Sequence, residues 1–460
     1  GFGEPEGNDR KHQEEQATAM YEAIFSVMNK NTDLVNYLSD RLVGLGDSVP
    51  EHSEKCRIIP EKETDYKNLF NIGTLPDDIF VKPGTKVPNR KGFAKYASYV
   101  NTISEKKYGR PLILAMSADL SDSTNISGFA NGYYDGKSKG MYEKKTNEKS
   151  PLFPQGITEF TNAGMMAGAT TVNFNKKPYD SFSGFYGAVS TYGSFSYLKY
   201  GPLRLFSQLA QDSELKVGKV IWVVGHSGPE TAEDSRTHYG IFAPGVTQLF
   251  PNGSIINLHP WEYNEVAPTL SAALKTNTPI IAIHLTRPSI VIPDRVKLGI
   301  DHYKNSAKGA YIIKNYDNNK PKEGVVIIRG TSPINSLIQI LPKLKESGPN
   351  IKIVAAISMD LFKMQTREYQ QSIISTSEWN DSMIITNTSI KLMEKWIVNR
   401  FVLAYSMAPD YDNRWRSGGT LDQIIIESKL DSSSIWVGIN RFATERSKRL
   451  ESLKKEIPSF

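Results

Sequence analysis

The chain has 460 residues and a mass of 51.4 kDa, with 39% apolar and 23% charged side chains. That mix excludes a wholly disordered polymer and gives room for two or three domains. Its net charge of +6 (55 basic against 49 acidic residues) is spread along the chain, which gives no footprint for nucleic acid, and no apolar run reaches the roughly 18 residues of a membrane span. One cysteine, Cys56, excludes an internal disulfide and a thiolate zinc site. A reducing, cytoplasmic compartment is the expected home, with neither nucleic acid nor membrane as a partner.

The chain opens Gly1-Phe2-Gly3-Glu4 and continues polar, without an initiator Met or the apolar middle of a signal peptide. It reads as a fragment or a processed product. From Gln16 to Leu42 the spacing of Met20, Ile24, Val27 and Met28, then Leu34, Leu38 and Leu42, predicts two helices with a break at 29–32. Residues 43–88 are rich in Pro and Gly and read as an extended linker. After Arg90, short Val/Ile/Leu runs alternate with helical stretches. Pro111–Ala115, Val220–Val224, Ile255–Leu258 and Pro279–Leu285 are expected strands, buried on both faces of a parallel sheet. Thr161–Thr170 and Glu265–Leu274 are expected helices. A polar, breaker-rich stretch near 300–324 marks a boundary. A second unit then opens with Val325–Ile328, a helix at Ile334–Glu346 and strands at Ile351–Ile357, Met383–Thr386 and Ile435–Ile439. The basic end, Arg441 to Lys455, reads as a solvated helix face. The fold class is α/β, with two parallel-sheet domains at 89–300 and 324–460 behind a helical and extended segment, 1–88.

The stretch from Gly225 to His238 follows directly on the run Ile221-Trp222-Val223-Val224. Ligands of open parallel sheets bind beyond the carboxyl ends of strands, so this loop lies where a site belongs. It holds His226, Glu230, Glu233, Asp234, Arg236 and His238. His226 precedes Asp234 by eight residues and Asp234 precedes His238 by four. In this spacing the loop resembles the His-Asp-Ser…Gly-Glu-Asp-Gly-Pro-Thr-His segment of the transketolases. Further pieces resemble that family in the same order. They are Met116-Ser117-Ala118-Asp119-Leu120-Ser121-Asp122-Ser123, Gly156-Ile157-Thr158-Glu159, Lys177-Pro178-Tyr179 with Ser181-Phe182-Ser183-Gly184-Phe185, Pro260 with Asn264-Glu265-Val266, the strand ending at Arg287, and Gly330-Thr331-Ser332. The resemblance covers roughly 90–460.

The resemblance implies ketol transfer between sugar phosphates with thiamine diphosphate and Mg²⁺. Glu159 would hydrogen-bond the aminopyrimidine nitrogen of the cofactor and promote its imino tautomer. Asp119 and Leu120 would line the cofactor, and Phe182 and Phe185 would form the aromatic wall for its pyrimidine. The family's third aromatic has two candidates here, Tyr186 and Tyr192. Arg90, Ser123, His226 and Arg287 would clamp a sugar phosphate, with protonated His226 adding a donor to the two guanidinium forks. Asp234 would read a substrate hydroxyl, and His238 would exchange protons beside the reacting carbon. The catalytic set implied is therefore Glu159, Asp234 and His238.

Two departures from the family stand out. Ser235-Arg236 replaces Gly-Pro after the acidic pair, and Ser227 replaces Asp after the first His. The family's Gly-Asp-Gly for the diphosphate and its metal has no match. Gly46-Asp47-Ser48 with Asn71 is the nearest string and reads as a chance likeness, so no metal ligand is expected in this chain. A diphosphate domain would come from a separate subunit or from a removed segment, and an assembly of at least two chains is expected. The rival readings are a 2-oxoacid decarboxylating component, which uses the same Glu159, and a non-catalytic paralogue.

Overall fold

The computed structural model describes residues 10–48, 66–133, 140–416 and 418–456. Gly1 to Asp9, much of the expected linker and Cys56 lie outside the described residues. The chain divides into two units, 1–58 and 59–460. In the first, α1 (Arg10–Lys30) and α2 (Thr32–Asp47) meet at Asn31, inside the expected break. Gly46 and Asp47 close α2, so they do not form a phosphate-binding turn.

The second unit holds a six-stranded and a four-stranded sheet. A two-residue ribbon, β1 (Lys86–Val87), leads into α3 (Asn89–Tyr108). Next come β2 (Ile113–Ser117), β3 (Leu152–Phe153), α4 (Glu159–Thr171), β4 (Tyr186–Tyr192) and α5 (Tyr200–Asp212). They are followed by β5 (Val220–Gly225), β6 (Ile255–Leu258), α6 (Tyr263–Lys275) and β7 (Ile280–His284). The larger sheet runs β3-β2-β4-β5-β7-β6 and is parallel throughout. Alternate strand residues bury on opposite faces. Ala115, Ala188, Ile221, Val223 and Ile283 pack on Phe93, Val100, Val266 and Leu270 of α3 and α6. Val189, Trp222, Val224 and Ala282 pack on Ala163, Met166, Leu203 and Phe206 of α4 and α5. Both faces are covered, which is why these strands read as unbroken apolar runs.

β8 (Ile290–Val291) pairs with β1, and α7 (Arg295–Leu298) leads to β9 (Ala310–Lys314). β10 (Val325–Arg329), α8 (Thr331–Glu346), β11 (Lys352–Ala356) and β12 (Ser382–Thr386) complete the smaller sheet, in the order β12-β10-β11-β9. Only its edge strand β9 is antiparallel.

Two expectations fail. Ile435–Ile439 lies in a helix, Ser432–Thr444, whose backbone Asp431 caps through Ser433 and Ser434. Ile435, Ile439 and Phe442 bury at helical spacing, and the short apolar run masked that period. The basic end is also more than a wet face. Arg449 is buried, donates to Asp381 at 2.6 Å and lies 3.8 Å over the Phe442 ring. The sequence reading also missed β4 and β9, because Gly187, Ser190 and Thr191 break the apolar run of the first and Lys314 ends the second.

Candidate functional site

Four parallel strands of the larger sheet deliver their carboxyl ends to one place. β2 ends at Ser117, whose Oγ accepts a hydrogen bond from Ser190 of β4 at 2.8 Å. The chain then turns at Asp119 with φ of 58°. Leu120 N donates to Ser117 Oγ, and Asp119 itself is exposed. β5 ends one residue before His226, which has φ of 55°. A positive φ costs a residue with a Cβ free energy that surrounding contacts must supply. Two such residues follow strand ends here.

His226 is the hub. Arg90, in the first turn of α3, points Nη1 at His226 Nε2 (2.7 Å) and donates to Ser123 O (2.7 Å). A guanidinium only donates, so Nε2 accepts and the ring proton sits on Nδ1. Nδ1 lies 3.9 Å from Asp234 Oδ2, and Asp234 is ion-paired with Arg287. Burial, then the charges of Arg90 and Arg287, push the His226 pKa down to about 3. The imidazole is therefore neutral at pH 7, which corrects the expectation of a cationic ring there. Tyr192, the last residue of β4, stacks on His226 with ring centres 4.1 Å apart and donates to Ser123 Oγ at 3.2 Å. His238 meets the Tyr192 ring edgewise at 4.9 Å and the Phe195 ring at 5.8 Å. Burial lowers its pKa as well.

Glu159 opens α4 and is buried. Thr191, next to Tyr192, donates to Glu159 Oε1 at 2.9 Å. Helix N-termini favour a carboxylate. Behind it Lys199 is fully buried and donates to Val189 O and Val223 O. Burial holds its pKa well below the ordinary lysine range, with the Glu159 charge opposing.

The structure thus brings Arg90, Ser123, His226, Asp234, Arg287 and His238 together and sets Glu159 one residue along the same strand end. Asp119 and Leu120 share the turn that carries Ser123. Phe182 and Phe185 do not join them. Phe182 packs on Tyr186, at the amino end of β4, and on Tyr66. Phe185 lies under Arg110, ahead of β2, and beside Gly218, ahead of β5. β4 runs seven residues from Tyr186 to Tyr192, so at about 3.3 Å per residue the two phenylalanines are a full strand length away. The aromatic faces at the site belong to Tyr192 and Phe195. The signal for them was position: Tyr192 ends a strand and follows Thr191, which bonds Glu159.

Glu230, named in the loop but given no role there, has a structural one. It is fully buried, and Ser332 in the first turn of α8 donates its hydroxyl to the carboxyl. Burial raises its pKa to about 7, against the hydrogen bonds from Ser332 and Asn387. The site loop is thereby tied to the smaller sheet.

The cluster fits the pyrimidine end of a flat, nitrogen-bearing cofactor. It offers a buried carboxyl, two aromatic rings, and buried ring nitrogens, His226 Nδ1 and His238 Nδ1, with no hydrogen-bond partner among the described residues. It does not fit the metal end. Among the described residues, no three His, Cys, Asp or Glu side chains group to hold an ion. Nor is any helix among them long and apolar enough to cross a membrane.

Residues 98–290 match the family model of the transketolase pyrimidine-binding domain. The chain resembles the transketolases. It is 25% identical over 323 residues to the chloroplastic transketolase of Craterostigma plantagineum, covering 69% of this chain and 55% of that one. It is 26% identical over 320 residues to the transketolase of Nostoc, covering 68% and 42%. The chain thus spans about half or less of these curated relatives. The solved transketolase of Campylobacter jejuni superposes with a TM-score of 0.58 at 16% identity, over 81% of this chain and 48% of that one. A split-gene transketolase chain, described as an inactive β4 tetramer, gives 0.50 at 16% identity, over 78% of this chain and 99% of that one. The transketolase-like α/β fold therefore extends over both sheets.

Proposed function

We propose that this chain supplies the pyrimidine-binding half of a thiamine diphosphate site and carries out transketolase-type transfer of a two-carbon ketol unit between sugar phosphates. The observation that carries this reading is the convergence of Arg90, Ser123, His226, Asp234 and Arg287 beside Glu159. We take 89–300 as the pyrimidine-binding domain, 324–460 as the C-terminal domain and 1–88 as the leading segment. The diphosphate and Mg²⁺ end would be held by another chain or segment, in an assembly of at least two chains.

Bound there, the cofactor would supply the nucleophilic carbon that carries the two-carbon unit. The side chains of this chain do the rest. Glu159 shares a proton with the aminopyrimidine nitrogen, and Thr191 fixes the carboxyl that does so. Tyr192 and Phe195 present ring faces to the pyrimidine. Arg90 and Arg287 offer guanidinium forks to a sugar phosphate, with Ser123 and neutral His226 as further hydrogen-bonding groups. Arg287 must trade its Asp234 partner for phosphate, which frees Asp234 to accept from a substrate hydroxyl. His238, whose pKa burial lowers, stands there as a neutral imidazole that can accept a proton from a substrate hydroxyl. Arg236 beside this acceptor end is the residue most suited to shift substrate preference.

The test is ketose-phosphate turnover by the chain together with a diphosphate-binding chain, thiamine diphosphate and Mg²⁺. Ketol transfer without 2-oxoacid decarboxylation supports the reading. Decarboxylation of 2-oxoacids would move the chain to the rival class, and failure to bind the cofactor in that mixture would make it a non-catalytic paralogue.

A further inference from the structure

A buried cation without a counter-charge lies at the end of the other sheet. Arg329 closes β10 and is only 3% exposed. Its guanidinium has five N–H donors. Among the described residues it uses only Nη2, toward Thr388 Oγ1 and Leu392 O. Nε has no partner and is shut off from solvent. No carboxylate lies within ion-pairing distance of it among these residues. The neighbouring imidazoles add no negative charge. His259 and His284 stack with ring centres 4.3 Å apart, and burial together with the Arg329 charge keeps both neutral, His284 with a pKa near 3.

Arg329 lines a narrow cavity with about 20 Å³ of room for a water-sized sphere. Gln248, Asn257, His259 and Lys395 also line it. So does Asp360, the one acid there, but its carboxylate is committed to Lys395 (3.0 Å) and to Asn257 N (2.9 Å). The Lys395–Asp360 pair cancels, and the charge of Arg329 remains. Buried ions in proteins are paired or coordinated, because desolvation of a lone charge is costly. The room suffices for one small ion or water and not for a sugar phosphate.

We propose that a monovalent anion of chloride size binds in this cavity against Arg329. It would neutralise the guanidinium at a place where Asn257 and His259, at the end of β6, meet the end of β10. Binding would therefore strengthen the seam between the two sheets.

The experiment follows thermal unfolding of the whole chain as sodium gluconate is exchanged for sodium chloride or bromide at constant ionic strength. The expected result is a midpoint raised by about 2 °C in either halide, and an anomalous bromide peak beside Arg329 in crystals grown in bromide. Arg329→Met keeps the length and removes the charge, so the halide response should vanish in it. A response equal in R329M, or no bromide at Arg329 in the unmutated protein, overturns the proposal. A bromide peak with no halide effect on the midpoint means an adventitious ion only and overturns it too. Where R329M fails to fold, the bromide peak and the halide response of the unmutated chain decide together.

Discussion

The two sheets end differently. At the carboxyl end of the larger one, polar groups crowd together with buried nitrogens left over: among the described residues, Nε of Arg90, Nδ1 of His226 and Nδ1 of His238 have no hydrogen-bond partner. At the carboxyl end of the smaller one, the crevice beside β10 is filled by the protein itself. Glu230 reaches in from the site loop to Ser332, and Asn387 packs on Gly330, whose φ is 102°. Strand order reverses at β10, between β11 and β12, so this is the point where an open α/β sheet usually takes a ligand. One strand-end region is left open around the polar cluster, and its counterpart is plugged by a side chain from the loop of the first. Two different ends are thus built from the same architecture: one gathers ring and guanidinium nitrogens around a loop, and the other is closed by Glu230 and Asn387.

The sharpest test of the open end is Glu159→Ala. Turnover with the diphosphate-binding partner should fall about a thousandfold, with the thermal midpoint little changed; undiminished turnover would remove the cofactor assignment. Arg287→Ala comes next. It should cost about a hundredfold in kcat/KM for phosphorylated sugars and much less for unphosphorylated ones. Equal losses on both would dissolve the clamp.

The plugged end is tested by Glu230→Gln. The folded-state pKa of Glu230 is raised from 4.5 to about 7. The folded protein therefore binds the extra proton, and the stability this brings is complete below pH 4.5 and lost as pH rises through 7. Unmutated protein should lose about 2 kcal/mol relative to E230Q between pH 5 and pH 8, read from denaturant unfolding at each pH. A difference that stays constant with pH would mean the carboxyl is not buried against α8. The smallest effect is expected from Phe182→Ala, at about 1–2 kcal/mol of stability for a partly buried ring and no change in cofactor affinity. A weakened cofactor affinity in F182A would return that ring to the site.

Much of the architecture was legible because apolar period and burial coincide. β5, β6, β7, β10 and β11 are buried on both faces, and each reads as a continuous run. Where burial was achieved with small or polar residues the signal faded, as in β4, with Gly187, Ala188, Ser190 and Thr191 all buried. That one blind spot also left Tyr192 as one of two candidates for a third aromatic. Without β4, nothing marked Tyr192 as a strand end, and the phenylalanines nearest the matching motif stood in for it. The polar cluster was easier, because the resemblance to the transketolases supplied Arg90, Ser123, His226, Asp234 and Arg287, while pattern alone placed only the loop after Val224 at a strand exit. Glu230 was placed only as one acid of the loop, and Arg329 was not singled out. Their meaning lies in what surrounds them, and no local spacing records a missing counter-charge.

The backbone at His226 has one more consequence. Its left-handed turn leads to Gly228, which bonds reciprocally with Gly240. A side chain on Gly240 would strike His226 O at 2.7 Å, so the neck of this loop is closed by backbone alone. Of the residues it encloses, Glu230, Thr231 and Ala232 are buried, while Asp234 to His238 form no part of the sheet's ladder. Substitutions in that enclosed stretch, such as Ser235 and Arg236, can accumulate while strand pairing stays untouched. The neck thus separates the two: strand pairing is fixed on one side of it, and exposed loop residues such as Arg236 and Thr237 lie on the other.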